Sequence, residues 1–241
     1  MFYKTKGIVI QRIKYSETSI IVKIYTEIFG LQAYIVKGAR SRKSKIKSNV
    51  FQNLSLLDLV VSKKEKSKIN FLTEVRQAYQ FTTIPFDIRK SSIVIFLNEI
   101  LYKTIREEEP NQNLFDFLFN SIQLLDHQEK DFVNFHLLFL IKLSKHLGFF
   151  PHQKLSKQFK YFDLTEGVFV VEIPIHQYYL NTEQSLIFNN LLNTSYEEIK
   201  EIKINKIQRQ QLLEKLIDYY KIHIENFKEI KSLAVLQTVL N

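Results

Sequence analysis

From Lys4 to Val75 the apolar pattern has period two, in short segments rich in β-branched and aromatic side chains. That is the period of a strand with one buried face. Five strands are predicted, at 4–14, 18–26, 31–37, 54–63 and 68–75. Tyr15-Ser16-Glu17 joins the first two, Phe29-Gly30 turns between the next pair, and 64–67 reads as a polar hairpin tip. One long polar connection, from Gly38 to Asn53, separates the third strand from the fourth. Five short strands with a long loop after the third match a small Greek-key barrel of the OB type. An SH3-like barrel has the same strand count and is the nearest competitor.

Period two ends near Arg76, and Pro85 marks the change of pattern. A helix is predicted over 91–106, with Ile93, Val94, Ile95, Phe96, Leu97, Ile100, Leu101 and Ile105 making it apolar on nearly every side. It stops at Glu107-Glu108-Glu109-Pro110. Segments 114–125 and 131–147 repeat the pattern, the second ending at Gly148 as a helix C-cap does. Residues 160–172 interrupt the helices with Tyr161-Phe162-Asp163-Leu164, a Thr165-Glu166-Gly167 turn and Val168-Phe169-Val170-Val171, the pattern of a β-hairpin. Helices resume at 182–192 and 206–227. The expected fold class is therefore α+β: an N-terminal five-stranded OB-type β-barrel at 1–80, followed by an α-helical domain at 81–241 with a β-hairpin inserted at about 159–173.

Composition excludes several classes of function. The 241 residues contain no cysteine, which removes disulfides, thiol nucleophiles and thiolate zinc sites, and only 6 His remain as metal ligands. The apolar stretch 132–143 is interrupted by His136 and Lys142 and is shorter than the roughly 20 residues a membrane span needs. No secretory signal precedes the strand pattern, so a cytoplasmic chain without membrane contact is expected.

Charge changes the picture more. The first 80 residues carry 16 Lys/Arg against 5 Asp/Glu, and the other 161 carry 18 against 20. Lys37, Arg40, Arg42, Lys43, Lys45 and Lys47 fall within eleven residues that contain no acid. Lys, Ile and Asn are abundant throughout, but a uniform compositional bias would have loaded both parts of the chain equally. Clustered cations raise the local potential, and each phosphate contact is rewarded by counterion release, so the cluster points to nucleic acid. Gly38 lets the backbone leave the third strand sharply, and Ser41 and Ser44 add hydroxyls. These six cations are the candidate DNA-binding residues; a merely solvated loop is the alternative. Tyr15, Tyr34 and Phe71, with Tyr25, are candidates for stacking bases, set against core filling as the ordinary role of a strand aromatic.

No catalytic constellation emerges. With 5 Gly there is no phosphate-cradling loop. Glu107, Glu108 and Glu109 are consecutive and diverge around a helix end, and His136 and His146 stand ten residues apart, too far to share a metal. No catalytic residue, metal or cofactor is expected.

The string Tyr15-Ser16-Glu17-Thr18, then Tyr25-Thr26 and Gly30, then Val36-Lys37-Gly38-Ala39-Arg40 with Lys43-Ser44-Lys45, resembles the amino-terminal domain of the bacterial RecO family. The resemblance continues through Leu143, Leu147-Gly148-Phe149, Pro151, the Phe162-Asp163-Leu164 hairpin with Gly167-Val168-Phe169, and Leu233 after Lys231-Ser232. It implies a non-catalytic DNA repair and recombination mediator that binds single- and double-stranded DNA and anneals complementary strands. It also implies work with RecR to place RecA on DNA coated by single-strand binding protein (SSB), whose acidic tail docks on the helical domain. Lys142, Lys145, Arg106 and Arg209 are the candidate tail-binding cations. Many relatives hold zinc with four cysteines at the central hairpin. This chain has none, so its hairpin is expected to be held by packing of Tyr161, Phe162, Phe169 and Val171. An RNA-binding OB protein, a nuclease, and a basic adaptor without annealing activity are the rival readings.

Overall fold

The structure, a computed structural model, describes residues 1–41, 44–62, 70–106, 108–152 and 159–240. Arg42, Lys43, Glu107 and the predicted hairpin tip at 64–67 lie outside the described residues. Backbone contacts divide the chain into two compact units, Met1–His127 and Gln128–Asn241.

The first unit begins with β1 (Phe2–Lys14), β2 (Ile20–Thr26), β3 (Gly30–Val36), β4 (Leu56–Ser62) and β5 (Asn70–Gln77). They form a closed barrel in the order β1-β2-β3-β5-β4. All neighbours are antiparallel except β3 and β5, which run parallel. This is the OB-type architecture that the strand count and the long loop predict. Alternation explains the core: Val9, Val22, Ile24, Tyr34, Val36, Leu57, Leu59, Val61 and Leu72 all lie buried inside. β1 pairs with both β2 and β4, and a register shift between Val9 and Gln11 bends it around the barrel. At Gly7 a Cβ would lie 2.5 Å from Ile24 Cγ2 and 2.7 Å from Leu59 Cδ1, so only glycine lets the walls meet there.

Helices α1 (Ile88–Thr104) and α2 (Gln112–His127) complete this unit. α1 starts three residues before the predicted boundary because the Asp87 side chain accepts from the Arg89 N–H and caps it. Asn98 of α1 donates to the Ile10 carbonyl at 3.0 Å, beside the β1 irregularity, and Phe115 of α2 stacks on Tyr25 at 6.2 Å. The segment between barrel and helices is tied by Asp126, which is fully buried. Its carboxylate accepts the backbone N–H groups of Thr82, Thr83 and Ile84 at 2.8–2.9 Å and the Tyr79 hydroxyl at 2.9 Å. The buried Lys90 ammonium donates to the Asp126 carbonyl at 3.0 Å and to the Thr83 hydroxyl. Burial alone would raise the Asp126 pKa, but these donors outweigh it and hold the carboxyl well below the usual range. Burial, with the adjacent Asp126, pushes the Tyr79 hydroxyl up to about 12.

The second unit contains α3 (Phe135–His146), β6 (Tyr161–Asp163), β7 (Val168–Val170), β8 (Tyr179–Leu180), α4 (Thr182–Leu192), α5 (Lys206–His223) and α6 (Ser232–Val239). α3 is apolar on all sides and is buried from Phe135 to Leu143 apart from Lys142, packing on α4 and α5. Asn181 and Asn205 form capping boxes with Gln184 and Gln208, which explains the sharp starts of α4 and α5. The predicted hairpin gains a third strand, because the two-residue β8, too short to carry a period, pairs with β6. α5 ends at His223 rather than 227, where the chain turns to an extended conformation at Ile224.

The hairpin is held through one face. Phe162 packs on Phe169 at 4.8 Å, on Phe188 of α4 at 4.7 Å and on Tyr219 of α5 at 5.8 Å. Tyr161 turns the other way, edge-on to Tyr179 at 5.9 Å, and Val171 lies past the end of β7 and is exposed. The expectation that Tyr161 and Val171 share in holding the sheet to the helices is therefore corrected: Tyr161 is adjacent to Phe162 and faces the opposite side, and Val171 lies beyond the paired strand. The residues here do not suit zinc. There is no thiolate, and among the described residues no group of three or more His, Asp or Glu could hold a metal. Among the described residues no helix is long and apolar enough to cross a membrane.

Two substitutions test these accounts by chemical denaturation. Asp126→Asn leaves part of the backbone donor set unmatched and is expected to cost about 2–4 kcal/mol at neutral pH. Because the folded pKa is depressed, the carboxylate's contribution is complete above the unfolded value of about 3.9 and fades as pH falls. The stability curves of wild type and variant should therefore converge on acidification; a constant gap would refute the assignment. Phe162→Ala should cost about 3–5 kcal/mol.

Candidate nucleic-acid interface

The long connection between β3 and β4 is less polar in its role than in its composition. Gly38 takes φ +68°, and the chain doubles back so that the Ser41 N–H reaches the Gly38 carbonyl at 2.8 Å. The Ser48 N–H bonds to the Ala39 carbonyl at 3.1 Å, which draws the two ends of the loop together. Ala39 and Phe51 enter the barrel core, and Ile46 and Val50 pack against it. Four apolar pegs thus fix the loop while Lys37, Arg40, Lys45 and Lys47 remain exposed. Burial of the pegs and solvation of the cations work together, since a long charged side chain leaves water only at a cost.

Arg40 is further positioned from both ends. Its N–H donates to the Thr18 carbonyl at 3.0 Å, and its guanidinium donates to the Glu17 carbonyl at 3.1 Å. That links the basic loop to the β1–β2 turn. From β1 the exposed Arg12 donates to the Ser48 carbonyl at 3.0 Å, bringing a further cation to the loop that the sequence reading did not single out. Its signal was weak: an isolated Arg on a strand is usually a solvated face.

Of the stacking candidates, Phe71 sits at the site. It is exposed at the start of β5, the Lys37 ammonium lies 5.4 Å from its ring centroid, and both line an open groove with Lys45, Ser44 and Thr73. Tyr15 is exposed on the β1–β2 turn. Tyr34 is corrected: its side chain is 1% exposed inside the barrel, and burial raises its hydroxyl pKa, so its ring has no face to offer a base. Tyr25 is likewise buried, against Phe115. Tyr34 opposes Val22 and Asn70, whereas the outward positions are its neighbours Ala33 and Ile35. A shift of one residue along the strand decides between the two faces.

The tail-binding candidates are dispersed by comparison. Arg106 is exposed after α1 in the first unit. In the second unit Lys142 is half-buried, its ammonium 5.8 Å from the Tyr196 ring centroid, and burial lowers its pKa. Lys145 is exposed one turn on. Arg209 is half-buried, donating to the Leu240 carbonyl at 3.1 Å and to Asn134 Oδ1 at 3.4 Å. Asn134 also lines a groove with an aliphatic floor, Val133, Ile202 and Ile204, and a rim that includes Lys200 and Lys203. Both lysines are exposed, and only folding sets them beside aliphatic side chains. Next to Asn134, His136 is fully buried on α3, and burial together with Arg209 lowers its pKa to about 3, so it is neutral and carries no charge for a ligand.

Comparison with known proteins covers both units. Residues 1–81 match the family described as Recombination protein O N terminal, and residues 85–234 match Recombination protein O C terminal. The DNA repair protein RecO of Phocaeicola vulgatus is 36% identical over 241 residues, covering all of both chains. That of Flavobacterium psychrophilum is 39% identical over 243 residues, again covering all of both chains.

If the six loop cations contact single-strand phosphates, log affinity should fall against log salt with a slope of roughly −0.7 × 6, or about −4. Replacing Lys37 and Lys45 with alanine should make that slope shallower by about 1.4. Fluorescence anisotropy over a salt series measures both, and a slope unaltered by the two substitutions would count against the site.

Proposed function

The chain belongs to the RecO family, whose members serve DNA repair and recombination as mediators, and on that premise we propose that it binds single- and double-stranded DNA through a barrel domain at 1–80 and anneals complementary strands. The observation that carries this reading is the pegged loop: Lys37, Arg40, Lys45 and Lys47 stand exposed on a segment whose apolar residues are anchored in the barrel. Cations held on a rigid support lower the repulsion between two phosphate backbones, so two strands can approach before their bases pair. No bond is made or broken in such a step.

The helical domain, 81–241 with its inserted three-stranded sheet, then serves partners. Together with RecR the protein assists RecA loading on SSB-coated DNA. The acidic tail of single-strand binding protein is a chain of carboxylates that needs cations beside an apolar floor. Lys200 and Lys203 beside Val133 and Ile202 supply that combination, with Arg209, which donates to Asn134 of the same groove, and Lys142 and Lys145 as the other cations of this unit.

The deciding experiment is strand annealing. Wild-type protein is expected to accelerate pairing of two complementary oligodeoxynucleotides, and Lys37→Glu/Arg40→Glu/Lys45→Glu to lose that acceleration while keeping its circular dichroism spectrum. Unimpaired annealing by the variant would overturn the site. Acceleration confined to matched RNA strands would favour an RNA-binding role instead.

A further inference from the structure

The barrel register carries a feature that phosphate binding does not use. Ile13 of β1 pairs with Ile21 of β2, Ile21 with Ile35 of β3, and Ile35 with Phe71 of β5. Directly opposed residues on neighbouring strands share a face. The residues one position away, Val22, Tyr34 and Asn70, are buried, so the row points outward. Ile13 is 41% and Phe71 38% exposed, and Ile21 and Ile35 are half-buried between them. Three strand spacings make this band roughly 14 Å long.

Elsewhere the same outer wall is covered. Lys23 lies over the Tyr102 ring of α1 at 5.3 Å, and Tyr25 packs on Phe115 of α2. The apolar row is what these helices leave open, and its borders are cationic: Lys14 follows Ile13, Lys37 stands over Phe71, and Lys45 shares the groove with Phe71. Resting on the nucleic-acid reading of this barrel, we infer that the row Ile13, Ile21, Ile35 and Phe71 is a bed for unpaired bases, and that this face selects single strands over duplex.

The charge pattern picks the occupant. A cationic border asks for phosphates, and an aliphatic and aromatic bed asks for uncharged flat surfaces within the same ligand. A single strand offers both, because its backbone is flexible and its bases can leave the stack. In a duplex the base faces already cover one another, so only the phosphates remain for the lysines and the row gains nothing. Stacking and apolar contact tolerate any base, since every base has a π-face. The selection is therefore for strand state and not for sequence. When two strands pair, the bases withdraw from the bed and the product is held by its phosphates alone.

The test uses the full chain with oligo(dT) and with a duplex of equal length, in anisotropy titrations at matched salt. Ile13→Thr/Phe71→Thr places a β-branched residue at both positions, which favours retention of the sheet. The variant is expected to lose about tenfold of the wild-type preference for oligo(dT) over duplex. Equal weakening on both ligands, or none on either, overturns the inference. Failure of wild type to bind either ligand would instead strike the nucleic-acid reading beneath it. As a check that needs no substitution, unaltered protein is irradiated with a 5-iodouracil-bearing single strand. An adduct on Phe71 is expected, and adducts confined to other residues would equally overturn the inference.

Discussion

The parallel contact between β3 and β5 is the constraint on which the first unit depends. It consists of two register pairs, Tyr34 with Asn70 and Ile35 with Phe71, yet it turns a five-stranded sheet with two open edges into a barrel with none. Asn70, buried at the closure, donates to Gln32 at 3.3 Å and so satisfies a polar group that the seam would otherwise strand. The same contact places Phe71 beside Ile35 and under Lys37. It also obliges the chain to travel from β3 to the start of β4 by a long connection, which is where the cations lie.

That connection reconciles two opposed demands. A segment carrying many like charges repels itself and resists burial, and left alone it remains mobile. Ala39, Ile46, Val50 and Phe51 counter this by extending the barrel core into the loop, and backbone bonds from Ser41 and Ser48 close it on itself. Cations on such a loop lose less conformational freedom when they meet a phosphate than cations on a free chain would. The ordering takes place during folding, where hydrophobic burial stabilises it, and not during binding.

In the second unit aromatic packing holds the small sheet to the helices. Phe162, Phe169, Phe188 and Tyr219 converge between the three-stranded sheet and helices α4 and α5. Tyr219 and Tyr220 also donate to the Phe149 and Leu140 carbonyls at 2.7 Å, so the large rings bury without orphaning their hydroxyls. Large aromatic surface removed from water is a sufficient driving force for a small sheet to be held against helices in the absence of thiolates.

The sequence by itself determined the barrel, the succession of helices and the position of the cationic loop, because each rests on local information: the period of two along β1 to β5, the longer apolar segments and stop signals of α1 to α5, and the closeness of the cations from Lys37 to Lys47. It also told against thiolate chemistry, since an absent residue type is absent in any fold. Only the tertiary structure decided which way individual side chains point. Tyr34 and Ile35 are neighbours with similar apolar character, and it is the strand register that sends one into the core and the other to the surface. β8 is too short to show a period and exists because β6 offers it an edge. Lys200 and Lys203 acquire an aliphatic floor, and Phe71 a lysine, from residues distant along the chain. Local patterns record how each segment solves its own burial problem; a surface that recognises a ligand is assembled from several segments, and its chemistry is set by their juxtaposition.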